Sequence, residues 1–279
     1  MPDRMIVTAI GQLITFLDGA ISRSLEPGRL AQGITTLLLA GNNVSKNLFR
    51  RTVDQLIQSQ RPDGGWADPE ETVWAISCIR IVLGQDDPVV QAGIQWLHSV
   101  RLPTGGWGRH SRDQARIPIT ALIAALVPEA VKREDINWLQ DEWARDFRGP
   151  VRLSYKAGFY LLAIPQGQED ELVDQTIAHL GQDQNSDGGF APWRDHPIGS
   201  EAWSTGVVLW GLSRWKERVD PAILERALNW LHKTQLPSGY WPYHYLDDGA
   251  SLALIGSVAA MKALAAKQSD YVYNYRHLQ

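Results

Sequence analysis

Apolar residues recur along this chain at helical spacing and almost nowhere at strand spacing. Ile6, Ile10, Leu13, Ile14, Leu17 and Ile21 share one helical stripe. Further on, two kinds of segment alternate. One is half polar, carries a single apolar stripe and ends in Leu and Gln. The other is apolar nearly all round: EETVWAISCIRIVL, IPITALIAALV, LSYKAGFYLLAI, EAWSTGVVLWGL and ASLALIGSVAAMKAL. Such segments predict helices buried on several sides, and the half-polar ones predict an outer layer over them. Pro/Gly turns (RPDGG, LPTGG, NSDGG, LPSGY) separate the two kinds. Counting 6–20 with 29–40 as a first pair gives six helix pairs, an inner ring inside an outer ring. No alternating β-branched run is long enough to suggest a sheet.

The alternation is a repeat. Leu56, Gln60, Gly64 and Trp66 follow the pattern L-x-x-x-Q-x-x-x-G-x-W, and Leu231, Gln235, Gly239 and Trp241 follow it again. Leu180, Gln184, Gly188 and Phe190 replace Trp with Phe, and Leu97, Arg101, Gly105 and Trp107 replace Gln with Arg. The glycines are 41, 83 and 51 residues apart, so the long gap predicts a degenerate unit, INWLQDEW followed by GPVRLSYKAGFYLLAI. The motif residues read as scaffold. Gln at a helix end reaches backbone groups that the helix leaves unbonded, Gly permits positive φ in the turn, and Trp stacks on the next unit.

Composition narrows the function classes. The 279 residues carry 27 basic and 31 acidic side chains, a net charge of −4, which argues against bulk capture of nucleic acid. The N-terminal stripe is interrupted by Gln12, Thr15 and Asp18, and no run approaches a membrane span, so a soluble cytoplasmic protein is expected. Cys78 is the only cysteine, which excludes an intrachain disulfide and any two-cysteine zinc site. Tryptophan is abundant, with 12 residues placed largely in or beside the repeats.

The repeat resembles the QW motif of squalene and oxidosqualene cyclases, shared more loosely with protein prenyltransferase β-subunits. The likeness covers residues from about 46 to 265. It implies an all-α fold, an α/α6 toroid: a double-layered helical barrel of six helix pairs whose funnel binds isoprenoid chains. The expected organisation is one domain over 1–279, with a first helix pair at 1–45, the repeats at 46–268 and an aromatic C-terminal tail at 269–279. Squalene cyclases use two barrels with the active site between them, whereas this chain has material for one. Loops, the tail or a protein partner are therefore expected to close its funnel.

The resemblance also points to candidate chemistry. Cyclases that protonate a polyene carry D-x-D-D followed by a small pair, and the matching stretch here is Tyr245-Leu246-Asp247-Asp248-Gly249-Ala250. Asp247 would be the acid and Asp248 its tuning partner, with Tyr245 in place of the first aspartate. Alkene protonation needs a carboxylic acid kept neutral by burial or by a neighbouring carboxylate. The commoner reading of two aspartates before a helix is as caps of its N-terminus. Trp74, Tyr155, Phe159, Trp203 and Trp210 lie on the apolar helices, as core packing or as ring faces for a carbocation. Arg112, Arg116, Arg152, Lys156 and Arg194 sit at or before inner-helix starts. They read as a solvated rim or as an anchor for a diphosphate or carboxylate, with Arg116, Arg152 and Lys156 the substrate-binding candidates. Glu70, Glu71 and Glu201 read as helix caps.

The prenyltransferase zinc set fails residue by residue. Its cysteine position falls on Val73, with Cys78 deeper in the helix, and its histidine position falls on Ser204. No metal and no cofactor are therefore expected, magnesium entering only with a diphosphate substrate. The functional expectation is a class II terpene cyclase-like enzyme acting on an isoprenoid or similar hydrophobic small molecule. The alternative is a non-enzymatic toroid that binds a lipid chain, a peptide or a partner protein.

Overall fold

The computed structural model describes residues 3–22, 27–41, 44–110, 112–167, 171–242 and 247–276, with backbone only for 22, 247–249 and 267–276. Among them are twelve α-helices and a short 3₁₀ turn at Pro128–Ala130. The half-polar helices are α1 (Arg4–Ser22), α3 (Lys46–Gln58), α5 (Pro88–Ser99), α7 (Arg133–Phe147), α9 (Glu171–Asp183) and α11 (Pro221–Thr234). They alternate with the apolar helices α2 (Pro27–Leu39), α4 (Pro69–Leu83), α6 (Ile117–Leu126), α8 (Ser154–Ala163), α10 (Ala202–Ser213) and α12 (Asp247–Arg276). The six expected pairs are all present, including the degenerate α7–α8 pair. Helix α12 continues through most of the segment expected as a tail.

The helices group into two compact units, residues 9–148 and residues 149–279 together with 1–8. In the first, α4 lies between α2 and α6, with α3, α5 and α7 packed outside them. In the second, α10 lies between α8 and α12, with α9 and α11 outside. Burial follows the two sequence patterns. On α10 every residue from Ser204 to Leu209 is buried, whereas α5 buries one stripe of Val90, Gly93, Ile94, Trp96 and Leu97.

The motif residues hold the layers in register. Gln60 Nε2 donates to Gly64 O and to Val89 O at the start of α5, both at 2.8 Å. Gln184 bonds Gly188 O and Ile223 O in the same way, and Gln235 bonds Gly239 O and Met5 O. Each glutamine thus ties its own turn to the first turn of another outer helix. Where Arg101 replaces glutamine, its Nε reaches Asp135 Oδ1 at 2.6 Å, and the same fully buried carboxylate accepts from Gly106 N and Lys132 N. The motif indoles bond back to their own helices: Trp66, Trp107 and Trp241 donate Nε1–H to the carbonyls of Leu56, Leu97 and Leu231. Gly64, Gly105, Gly188 and Gly239 have φ between 90° and 97°, the left-handed turn expected of them.

A contact that the sequence pattern does not announce sets how closely the inner helices approach. Gly211 of α10 lies against the Gly158 carbonyl of α8, and Gly206 of α10 lies against Leu252 and Gly256 of α12. A side chain at any of these glycines would overlap the neighbouring backbone.

Against the expectation that no run approaches a membrane span, helix α1 reaches the length and mean hydropathy of one over Arg4–Ile21, with a mean hydropathy of 1.4. Met5, Ala9, Leu13, Leu17 and Ala20 form its buried stripe, and Gly11, Thr15 and Asp18 are exposed. Leu17 packs against Gly33 of α2, as an outer helix does on its inner partner.

Candidate functional site

An aromatic wall forms where α8 meets α10. Tyr155 and Phe159 are one turn apart on α8, and both rings meet the Trp203 indole edge-on, with centroids at 5.1 and 5.8 Å. Glu201 fixes the start of α10 and so places Trp203. Its buried carboxylate accepts from Trp203 N and Ser204 N, both at 2.7 Å, the capping role expected of it. Phe159 is buried, while Tyr155 and Trp203 are half-buried. Trp210, two turns beyond Trp203 on the same helix, is half-buried as well. Lys156 is half-buried beside Tyr155, and Arg152 is exposed in the segment before α8. Five of the candidate residues are therefore gathered on two adjacent helices, with Arg152 just ahead of them.

Trp74 and Arg116 belong to the other unit. Trp74 is 2% exposed on α4, and its indole N–H has no hydrogen-bond partner among the described residues. Arg116 precedes α6 and grips Asp113 with two bonds, Nε to Oδ2 at 2.6 Å and Nη2 to Oδ1 at 3.1 Å. That grip, helped by the Arg109 N–H, holds the Asp113 carboxyl well below the usual carboxylate range.

Asp247 and Asp248 are the first two residues of α12, an inner-helix N-terminus as expected. Tyr245 lies outside the described residues, as do the side chains of Asp247 and Asp248. The structure presents a second carboxylate group in an equivalent position, Asp68-Pro69-Glu70-Glu71-Thr72 at the start of α4. Asp68 caps the helix by accepting from Glu71 N at 2.8 Å, and the Thr72 hydroxyl accepts from Trp66 N at 3.0 Å. Glu71 is wedged against Gly28 of α2, and its Oε2 is buried. From the sequence alone these glutamates read only as helix caps. The carboxylate-x-carboxylate-carboxylate order running into Thr and Val was the available signal.

Thr72, Thr120 and Thr205 form a further set that the sequence hid. Each hydroxyl accepts from the backbone N–H of a motif aromatic, Trp66, Trp107 or Phe190, at 2.9–3.0 Å. Their spacing from that aromatic varies with loop length, so no fixed pattern marks them. Cys78 is fully buried in α4, and desolvation pushes its thiol far above the ordinary cysteine range, so it belongs to the core. Among the described residues no three His, Cys, Asp or Glu side chains converge to hold a metal ion.

Comparison with known proteins places the fold. No known protein-family profile matches the chain. Two drimenyl diphosphate synthases are similar over 67% of it: that of Streptomyces showdoensis at 24% identity and that of Streptantibioticus cattleyicolor at 27%. The chain spans about 40% of the length of these curated relatives. Among solved structures, the type II terpene cyclase MstE from Scytonema, in complex with geranylgeranyl dihydroxybenzoate as substrate, superposes with a TM-score of 0.72 at 18% identity. The match covers 93% of this chain and 98% of that one. MstE bound to its product, merosterolic acid A, gives 0.68. The ent-copalyl diphosphate synthase of Streptomyces platensis gives 0.61, with half of its chain covered. The chain shares the all-helical fold of type II terpene cyclases.

Proposed function

We propose that this chain is a class II terpene cyclase-like enzyme that protonates and cyclises an isoprenoid-type substrate in a hydrophobic funnel. One observation carries the proposal. The fold matches that of a cyclase with substrate and product complexes over nearly the whole of both chains. Coverage of 98% of that cyclase's chain supports the reading that one set of six helix pairs can house the reaction.

In the proposed reaction, a carboxylic acid gives its proton to a terminal alkene carbon. The π pair becomes the new C–H bond and leaves a tertiary cation. The next alkene attacks that cation, forming a C–C bond and passing the positive charge along the chain. Loss of a proton to a base ends the sequence. The Tyr155, Phe159 and Trp203 rings are positioned to line the chain, and a desolvated ring face stabilises a cation by up to about 2 kcal/mol. Trp74 and Trp210 are the remaining aromatic candidates, and Arg116, Arg152 and Lys156 the anchors for a charged head. Asp247 is the acid candidate with Asp248 beside it, and Glu70 with Glu71 is the second pair to be tested. No cofactor is required, and a diphosphate substrate would bring magnesium with it.

The test is gas chromatography–mass spectrometry of products from geranyl, farnesyl and geranylgeranyl diphosphates, squalene and geranylgeranyl dihydroxybenzoate. Wild type is compared with Asp247→Asn and Glu70→Gln. A cyclised isomer made by the wild type and lost in one variant identifies the acid, since removing a general acid costs about 10²–10⁴-fold in rate. An isomer made equally by all three would refute both acid assignments. No product from any substrate would refute the cyclase and leave a funnel that only binds. That binding scaffold is the reading favoured by Tyr245 in the place of an aspartate.

A further inference from the structure

In the C-terminal unit, the segment before α8, the end of α9 and the loop before α10 line an open pocket of about 290 Å³. Its polar lining is Arg152, His179, Asp183 and Arg194, with Trp193 on one side. His179 and Asp183 are one turn apart on α9, 8% and 7% exposed, with Nε2 and Oδ2 3.4 Å apart. Buried groups of this kind, on the outer helix of a pair, have no part in the aromatic wall.

Three features distinguish the pocket from a structural ion pair. Asp183 Oδ2 is shut off from solvent and receives no hydrogen bond, although it borders the cavity. Arg194 lines the pocket from the loop before α10, and its charge acts on both Asp183 and His179. The loop that carries it is pre-organised. His196 N donates to Trp193 O, Gly199 N to His196 O, and Ile198 N to His196 Nδ1. The Trp193 ring packs edge-on to His196 at 4.0 Å. Asp195 has φ of 61°, the one left-handed non-glycine among the described residues, and such strain clusters at binding sites.

We propose that this pocket binds a phosphate-type anion, a phosphate or diphosphate group held by the Arg194 and Arg152 guanidiniums above the buried His179–Asp183 pair. The chemistry follows from charge. Burial pushes the Asp183 carboxyl up and the His179 imidazole down, so each is shifted towards its uncharged form. Two arginines, Arg152 and Arg194, line the pocket, and guanidinium forks match phosphate oxygens. A proton taken up at Asp183 Oδ2 when the anion binds would let it donate to the anion instead of repelling it. The proposal requires no turnover, and it shares with the cyclase reading only Arg152, an anchor candidate there. The anion is either the head of a prenyl diphosphate or a separate small ligand.

Calorimetric titration of the whole chain with inorganic pyrophosphate tests it. One saturable site is expected in the wild type. Arg194→Ala, an exposed loop substitution, should weaken it at least about tenfold, the loss of a charge-assisted fork. Arg61→Ala, an exposed arginine elsewhere, should leave it unchanged. Displacement of pyrophosphate by farnesyl diphosphate but not by farnesol would assign the site to a prenyl head. Failure of farnesyl diphosphate to compete would assign it to a separate anion. No saturable binding at millimolar pyrophosphate, or equal binding by Arg194→Ala with an unchanged circular dichroism spectrum, would overturn the proposal.

Discussion

The helix contacts around α10 allow a prediction in which a substitution reverses sign with its place in the fold. Glycine inside a helix costs about 1 kcal/mol relative to alanine, so Gly→Ala should stabilise wherever there is room. At Gly11, on the exposed side of α1, a new Cβ meets nothing within 4 Å. Gly11→Ala should therefore raise stability by about 0.5–1 kcal/mol. At Gly211 the new Cβ would lie 2.9 Å from the Gly158 carbonyl carbon and overlap its oxygen. Comfortable carbon contacts begin at about 3.5 Å, so α8 and α10 would have to part by roughly 1 Å. Helix α10 cannot step away, because Gly206 on its other side is packed as closely on α12, its own added Cβ 2.5 Å from Ala253 N. Overpacking of this kind costs about 1–3 kcal/mol and here falls on backbone, the least yielding partner. After subtracting the helix-propensity gain from the upper part of that range, Gly211→Ala should lose about 1–2 kcal/mol, or about 2–4 °C in Tm for a chain of this size. Equilibrium urea unfolding followed by circular dichroism measures both variants against wild type. Gly211→Ala matching or exceeding the wild type, or both variants moving in the same direction, would refute the packing described for α8, α10 and α12.

Further predictions rest on single sites. Arg101→Ala leaves the Asp135 carboxylate buried with only its two backbone donors and should cost about 3 kcal/mol in urea unfolding, whereas Arg101→Gln, the residue of the other repeats, should cost about half of that. Cys78 should resist a thiol reagent such as dithionitrobenzoate at pH 8 in the native state and react at once in denaturant, because its thiol is buried and held protonated. The Asp113 carboxyl is held below its unfolded value, so its contribution is present above about pH 4 and is lost as pH falls through its depressed folded value. Asp113→Asn should therefore leave the stability profile between pH 5 and 8 flat relative to wild type and change only the acid limb, as read by urea midpoints at each pH.

The alternation of one-sided and all-round apolar helices, with turn residues between them, already specified twelve helices, their order and their layers. That information is local, because a helix declares how many of its faces are buried through its own sequence. The motif glutamines and glycines were legible for the same reason, since a helix end and a left-handed turn make demands on nearby residues. Other features exist only after folding. Gly158, Gly206, Gly211 and Gly256 read as ordinary helix interruptions until α8, α10 and α12 are side by side and backbone meets backbone. Asp135 stands among charged residues at the start of an outer helix, and it becomes a buried anchor only when Arg101 and Gly106 of the preceding turn meet it beside its own helix's Lys132 N–H. Tyr155 and Phe159 are one turn apart in sequence, but their meeting with Trp203 depends on where Glu201 starts the next inner helix. The candidate anion pocket shows the difference most fully, since Arg152, His179 and Arg194 share no motif or spacing. Chain sequence determines what each segment will bury, whereas which distant side chains share a cavity is decided by helix packing and loop conformation, which depend on all the segments together.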